Sequence, residues 1–267
     1  MKVAIAQIEA GYYAKDKNEG KILSLTDQAL EQGVDLILFP EGANLGYFIL
    51  DQTKEREEAL SLALGKAPDF SSPWIELLRR KAQKGIYIAC GCFLKNENSR
   101  LVNALLLLSP KGEIFSYNKT HLFHLKETKE ADFVVGGYEL TVVDTPLAKI
   151  GLCICYDLNF PEVIRTLALK GAQIVLLPAA WPKMAGRTWD LLLSARAIEN
   201  ELYVVACGQT GEAYYGHSKI IDYTGNILTE FAEEEGLRVA EVDLTKQEKW
   251  RKMVTYFEDR RPALYNV

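Results

Sequence analysis

Three residues of this 267-residue chain pair a reactive side chain with a position where reactive groups collect. Glu41 directly follows the apolar run "DLILFP", Cys155 closes "IGLCIC", and Lys119 follows "EIFSYN". Such runs read as strands, and in open α/β sheets ligands gather at the carboxyl ends of strands. A carboxylate buried there costs free energy unless something pairs or uses it. Glu41 is therefore a candidate general base with a raised pKa. Its plainer alternative is a rim carboxylate that caps a loop or pairs with a lysine. Cys155 is a candidate nucleophile. A helix that reads from Pro161 lies just beyond it, and a helix N-terminus can lower a thiol pKa. Taken alone, it is more ordinarily a buried, inert thiol. Lys119 can hold an oxyanion during acyl transfer, although alone it reads as a surface lysine.

The other reactive side chains carry less. Cys153, two residues before Cys155, is expected on the same strand face, pointing into the sheet and unreactive. Cys90, Cys92, Cys153 and Cys155 have the wrong spacing for a zinc knuckle, whose cysteines lie two to four apart in turns. Nothing local marks His121, His124 or His217 as a base for a Cys–His pair, and structural roles are expected for them. No metal is expected.

The elements that must position these residues form two halves that echo each other. "KVAIAQIE" (2–9) is similar to "KIGLCICYD" (149–157), and "GVDLILFPEG" (33–42) to "GAQIVLLPAA" (171–180). "IYIACG" (86–91) pairs with "LYVVACG" (202–208), and the hairpin of 103–119 with that of 217–231. The shared order is better evidence of a repeat than any one pair. Each half reads strand, helix, strand, helix, strand, then hairpin, turning at "SPKGE" and "DYTGN". Helices are predicted over 17–31, ended by Gly33, over 73–84 with Ser72 as cap, and over 161–170. A fourth, over 188–200, is expected to pack through Leu191, Leu192, Ala195 and Ile198. Two mixed units that pack sheet on sheet with helices outside give a four-layer α-β-β-α sandwich, one domain over 1–267. The alternative is one large doubly wound sheet. The absence of G-x-G-x-x-G after an early strand leaves dinucleotide binding unsupported.

Composition removes other classes. A hydrophobic fraction of 48% supports a sizeable core, and a net charge of −5 gives no basic surplus for nucleic acid. No apolar run reaches the roughly 20 residues that span a bilayer. "MKVAIAQIEA" reads as a strand and not a signal peptide. Five cysteines, an odd number, with no secretion signal lead to an expectation of reduced thiols in the cytoplasm.

Together the three positions resemble the nitrilase, or carbon–nitrogen hydrolase, superfamily. The resemblance rests on "FPEGANLGY" (39–47), "YNKTHLF" (117–123) and "CYDLNFPE" (155–162), supported by 191–211, 216–225 and "DRRPALY" (259–265). It implies the α-β-β-α sandwich, a Glu41–Lys119–Cys155 triad and a second glutamate at Glu130. It implies no cofactor, a small amide as substrate, and a homodimer with the tail from about 245 to 267 at the interface. In the implied reaction Cys155 forms a thioester, with Lys119 and the Tyr156 N–H on the oxyanion. Asn159 stands where relatives acting on N-carbamoyl amino acids carry an arginine, which lowers the case for that substrate class. Residues 178–189 look most like omega-amidase relatives. Arg187 or Lys183 is a candidate carboxylate anchor, and Tyr47, Tyr156 and Trp181 are candidate pocket residues. Carbamoyl hydrolysis, nitrile hydrolysis or acyl transfer to an amine on the same triad stays open, as does a scaffold with a silent site.

Overall fold

Apolar runs rich in Ile, Leu and Val become strands because such side chains pack well on a pleated surface covered on both sides. A computed structural model describes residues 1–125 and 128–265. The first half runs β1 (Lys2–Gln7), α1 (Lys15–Glu31), β2 (Leu36–Phe39), α2 (Arg56–Lys66), α3 (Pro73–Ala82), β3 (Tyr87–Lys95), β4 (Leu101–Leu108) and β5 (Ile114–Asn118). The short ribbon β6 (His124–Leu125) and β7 (Thr128–Lys129) follows, then β8 (Thr141–Asp144). The second half runs β9 (Lys149–Leu152), α4 (Pro161–Leu169), β10 (Ile174–Ala179), α5 (Gly186–Asn200), β11 (Tyr203–Gly208), β12 (Lys219–Ile221), β13 (Ile227–Glu230), β14 (Gly236–Glu241) and α6 (Leu244–Met253).

Two six-stranded mixed sheets result, ordered β14-β1-β2-β3-β4-β5 and β13-β12-β11-β10-β9-β8. The repeated strands take matching places: β1-β2-β3 and β9-β10-β11 are parallel, and each set continues into an antiparallel hairpin. Each sheet is completed by the strand that follows the other half. β8 pairs with β9, and β14 pairs with β1. The sequence reading did not include these two edge strands, nor α2.

Strand alternation sorts the core into layers. Val3, Ile5, Leu36 and Leu38 share one core with β10 and β11 of the second sheet, whereas Ala4, Ala6, Ile37 and Phe39 turn to Ile22, Ala29, Ile75 and Leu78 of α1 and α3. α4 and α5 pack on the second sheet. The four layers are the expected α-β-β-α sandwich. Each fully buried Leu, Ile or Val in these layers stabilises it by about 1.5–3 kcal/mol.

Three local expectations are corrected. The strand read through Cys155 ends at Leu152, and Cys155 instead begins a short 3-10 helix, Cys155–Asn159. Cys153 therefore lies beyond β9, although it is fully buried as expected. Ser72 stands at the N-cap of α3, but its hydroxyl is buried without a hydrogen-bond partner. The face assigned to α5 is corrected in part: Leu192 packs on the core, but Leu191 is 59% and Ile198 43% exposed, while Trp189, Leu193, Arg196, Ala197 and Asn200 are buried. Apolar residues occur around most of this helix, so periodicity could not choose a side. Trp189 decided it by packing on Trp181, ring centroids 5.3 Å apart.

Candidate active site

Glu41 sits two residues past β2, where the chain passes close to Gly91 of β3. A Cβ on Gly91 would lie 2.6 Å from the Pro40 carbonyl oxygen and 2.7 Å from Glu41 Cα, so only glycine lets the chain pass there. The Glu41 carbonyl accepts from Gln209 Nε2 at 2.6 Å, tying it to the segment after β11. Lys119 follows β5 and keeps its ladder going, donating its N–H to the Asn103 carbonyl at 2.9 Å. Glu130 opens a 3-10 turn after β7. Cys155 opens the 3-10 helix with φ +47°, a left-handed conformation that a non-glycine residue adopts at a cost.

These four side chains, distant in sequence, converge where the carboxyl ends of both sheets meet. Lys119 Nζ donates to Glu41 Oε1 at 2.9 Å and to Glu130 Oε2 at 2.7 Å, with all three side chains fully buried. Glu41 Oε2 accepts from the Ala180 N–H at 2.8 Å, and Glu130 Oε2 also accepts from the Phe123 N–H at 2.7 Å. The Cys155 thiol lies beside Glu41 and the same Ala180 N–H.

The charges explain the protonation states. Burial alone would lower the Lys119 ammonium, but Glu130 and Glu41 outweigh it and hold Lys119 well above the usual lysine range. Burial first and Glu41 second push the Cys155 thiol well up, against the opposing pull of Lys119. This corrects the expectation of a helix-stabilised thiolate. Both causes favour the protonated thiol, with the Glu41 carboxylate beside it.

A cavity of about 300 Å³ opens over Cys155, lined by Phe123, Tyr156, Asn159, Trp181, Met184 and Thr188 among others. Tyr156, Trp181 and Asn159 line this cavity. Tyr47 does not. It is buried behind the site, its ring centroid 5.6 Å from Lys119 Nζ. Neither proposed anchor lines the cavity: Lys183 pairs with Glu233 at 2.8 Å, and Arg187 points to solvent. Tyr156 is the second residue of its 3-10 helix, where backbone N–H groups lack intrahelical partners. That N–H and the third hydrogen of Lys119 are suitable donors to an oxyanion near Cys155.

Two polar residues were missed in the sequence. Asn103 interrupts the apolar strand β4, and its side-chain amide bonds both carboxylates. Asp157, fully buried, accepts from the Tyr117 hydroxyl at 2.7 Å, Thr120 Oγ1 at 3.1 Å, His121 N at 3.1 Å and Ile154 N at 2.8 Å. It also bonds His121 Nδ1 at 2.8 Å. Asp157 thus fastens the Lys119 segment to the Cys155 turn, and this is the structural role of His121. His217 stacks on Tyr215, centroids 4.0 Å apart, away from the cavity, and His124 lies in β6. The signal for Asn103 was a lone amide inside an apolar run, which must find partners once buried.

Residues 2–252 match the sequence model of the carbon–nitrogen hydrolase family. The chain is 33% identical to the deaminated glutathione amidase of Rattus norvegicus, covering 94% of this chain and 80% of that protein. It is 33% identical to the 2-oxoglutaramate amidase of Bacillus subtilis (strain 168), covering 86% of each. Among solved structures, an amidase from Nesterenkonia sp. AN1, with acrylamide added at its active-site cysteine, superposes with a TM-score of 0.80. That pair is 25% identical and covers 99% of this chain and 98% of the other.

Proposed function

The chain belongs to the carbon–nitrogen hydrolase family, and on that premise we propose that it hydrolyses a small amide to an acid and ammonia through a thioester on Cys155. One observation carries the reading: a cysteine that lines a cavity lies beside a buried carboxylate that is itself bridged to a buried lysine.

The chemistry follows from those groups. Cys155 Sγ attacks the amide carbon as its proton passes to Glu41. The carbonyl oxygen gains charge and is held by Lys119 and the Tyr156 N–H. Glu41 returns the proton to nitrogen, the carbon–nitrogen bond breaks and ammonia leaves. Water then attacks the thioester and yields its proton to Glu41. The carbon–sulfur bond breaks, the thiol is reprotonated and the acid departs. Glu130 bonds Lys119, Asn103 and the Phe123 N–H, so its part is to hold the ammonium in place.

Among the described residues the polar cavity groups are neutral, Asn159 and Thr188, with aromatic walls. This favours a small amide with modest polar character. Amides of the kinds in the relatives' names, deaminated glutathione and 2-oxoglutaramate, come first for testing. The chain acts as one unit, cytoplasmic and homodimeric, with the tail from about 245 at the interface. Five free cysteines support the compartment, and the exposed Leu191 and Ile198 of α5 with Met253 and Tyr256 support the dimer.

Ammonia release is measured over a panel of simple amides, omega-amides, N-carbamoyl compounds and nitriles, with Cys155→Ala beside the wild type. An acyl mass increment on Cys155 and loss of release in the variant support the reading. Release that persists in Cys155→Ala overturns it. Preference for a carbamoyl compound or a nitrile changes the substrate class, and silence with folded protein points to acyl transfer, a substrate outside the panel or a scaffold.

A further inference from the structure

β4 is apolar along its length apart from Asn103, and every residue in it is buried. Leu105 and Leu107 share its parity and face the core between the sheets, while Ala104 and Leu106 face the helices. Asn103 therefore reaches the layer that holds the site. Its Nδ2 donates one hydrogen to Glu41 Oε1 and the other to Glu130 Oε1, each at 2.7 Å. Its Oδ1 is buried without a partner. A flipped amide would set that oxygen against two carboxylates, so the orientation is fixed by charge.

With Lys119 the amide closes a four-membered ring of side chains. Glu41 Oε1 takes Asn103 and Lys119, Glu130 Oε1 takes Asn103, and Glu130 Oε2 takes Lys119. Both donors on Glu41 fall on one oxygen. The other oxygen, Oε2, is left with the Ala180 N–H, the group that also lies by the Cys155 sulfur. We propose that Asn103 is a positioning residue, whose one NH2 group locks Glu41 and Glu130 together so that Glu41 presents Oε2, and only Oε2, to Cys155. The proposal rests on the reading of Glu41 as the base for Cys155.

Lys119 alone cannot impose this arrangement. An ammonium on a flexible stem offers hydrogens in any rotation, whereas an amide holds its two hydrogens in one plane. Asn103 also favours the ionised form of the carboxylates it touches, since hydrogen bonds to a carboxylate stabilise its charge. The titratable groups that face Glu41 are Lys119, Glu130, Cys155, Tyr47 and Tyr214. Asn103 is the neutral member whose removal changes no charge yet must change the proton affinity of the base.

Asn103→Leu keeps the volume and removes both donors, Asn103→Ser keeps one donor in a smaller side chain, and Asn103→Asp replaces both donors by a third carboxylate. Amide hydrolysis is read as kcat and KM over pH, with the acid limb of kcat/KM as the diagnostic. Asn103→Leu is expected to lower kcat about 100-fold with KM little changed, and to raise the acid limb by about one pH unit. Asn103→Asp should raise it further, and Asn103→Ser by less. If Leu fails to fold, the Ser and Asp variants give the same ordering. An acid limb that stays put in every folded variant, whatever happens to kcat or thermal stability, makes Asn103 merely structural and overturns the proposal. The pH profile of Cys155 alkylation by iodoacetamide is measured alongside. It reads the charge of Glu41 through its effect on the thiol when no amide is turned over, so a wrong substrate reading and a wrong role for Asn103 give different results.

Discussion

Replacing Glu41 by Gln keeps the shape of the side chain and removes its charge, and it should drive amide turnover and thiol reactivity in opposite directions. Glu41 lies beside the Cys155 thiol, and its charge is the second cause, after burial, of the raised thiol pKa. A unit charge about 4 Å from the sulfur, at an effective dielectric of about 20, interacts by about 4 kcal/mol. Removing it should lower the thiol pKa by about 3 units. Below the pKa this multiplies the thiolate fraction by about 10³, while the weaker nucleophile loses about 20-fold, leaving a net gain near 50-fold. Amide turnover should instead fall by about 10³-fold, because the proton relay to nitrogen and water is gone. The assay is the rate of iodoacetamide labelling at Cys155, read by peptide mass because the other four cysteines are also buried, beside ammonia release. The new amide nitrogen faces the Ala180 N–H, so folding is checked by circular dichroism. A folded variant labelled at or below the wild-type rate would refute the electrostatic account of the resting thiol.

Lys119→Met leaves Glu41 and Glu130 buried without their cation, and one of them takes up a proton. The cost should be about 3–5 kcal/mol near neutral pH, and the melting temperature of the variant should rise on acidification. A variant that melts equally at both pH values counts against the paired charges. Asp157→Ala removes the acceptor shared by the Lys119 segment and the Cys155 turn. Stability should fall by about 2–4 kcal/mol and kcat by more than KM changes, and unchanged kcat would deny the brace a part in aligning the site. Gly91→Ala forces a methyl group against the backbone at Pro40 and Glu41. It should lower stability by about 1–3 kcal/mol and activity disproportionately, and an unaltered kcat refutes the close approach. Alkaline pH should unfold the protein through its thiols. Cys153 and Cys155 are held well up chiefly by burial, Cys90 first by its bond with Cys92 and then by burial, and Cys207 is pushed up to about 12 by burial. The native state keeps protons that the unfolded chain gives up above about pH 8.5, so stability is flat below that pH and falls above it. The slope is about 1.4 kcal/mol per pH unit per thiol. A urea midpoint unchanged between about pH 7.5 and 9.5 rules this out.

The strands that lead to Glu41, Lys119 and Cys155 were legible because each is a local run of strand-forming residues, and a repeat in constant order revealed the two halves. The hairpin turns could also be read, since the glycines at 112 and 225 adopt φ +80° and +89° for local reasons. The end of β9 was misread because "LCIC" is as apolar as the strand before it. Only the left-handed Cys155 and the capture of Ile154 N–H by Asp157 turn the chain there. The outer face of α5 was likewise undecidable from periodicity, and burial of Trp189 against Trp181 settled it.

The sequence by itself determined the residue types for the chemistry, their order and the sheets they follow, because hydrophobic patterning and strand ends are short-range properties. Tertiary structure alone brought Glu41, Asn103, Lys119 and Glu130 into one ring and laid Cys155 against it. The raised proton affinity of the thiol and, among the described residues, the uncharged lining of the cavity were decided there too. Each depends on burial and on charges brought within a few ångströms from distant parts of the chain, and the strength of a charge or hydrogen bond is set by that surrounding and not by the residue that bears it.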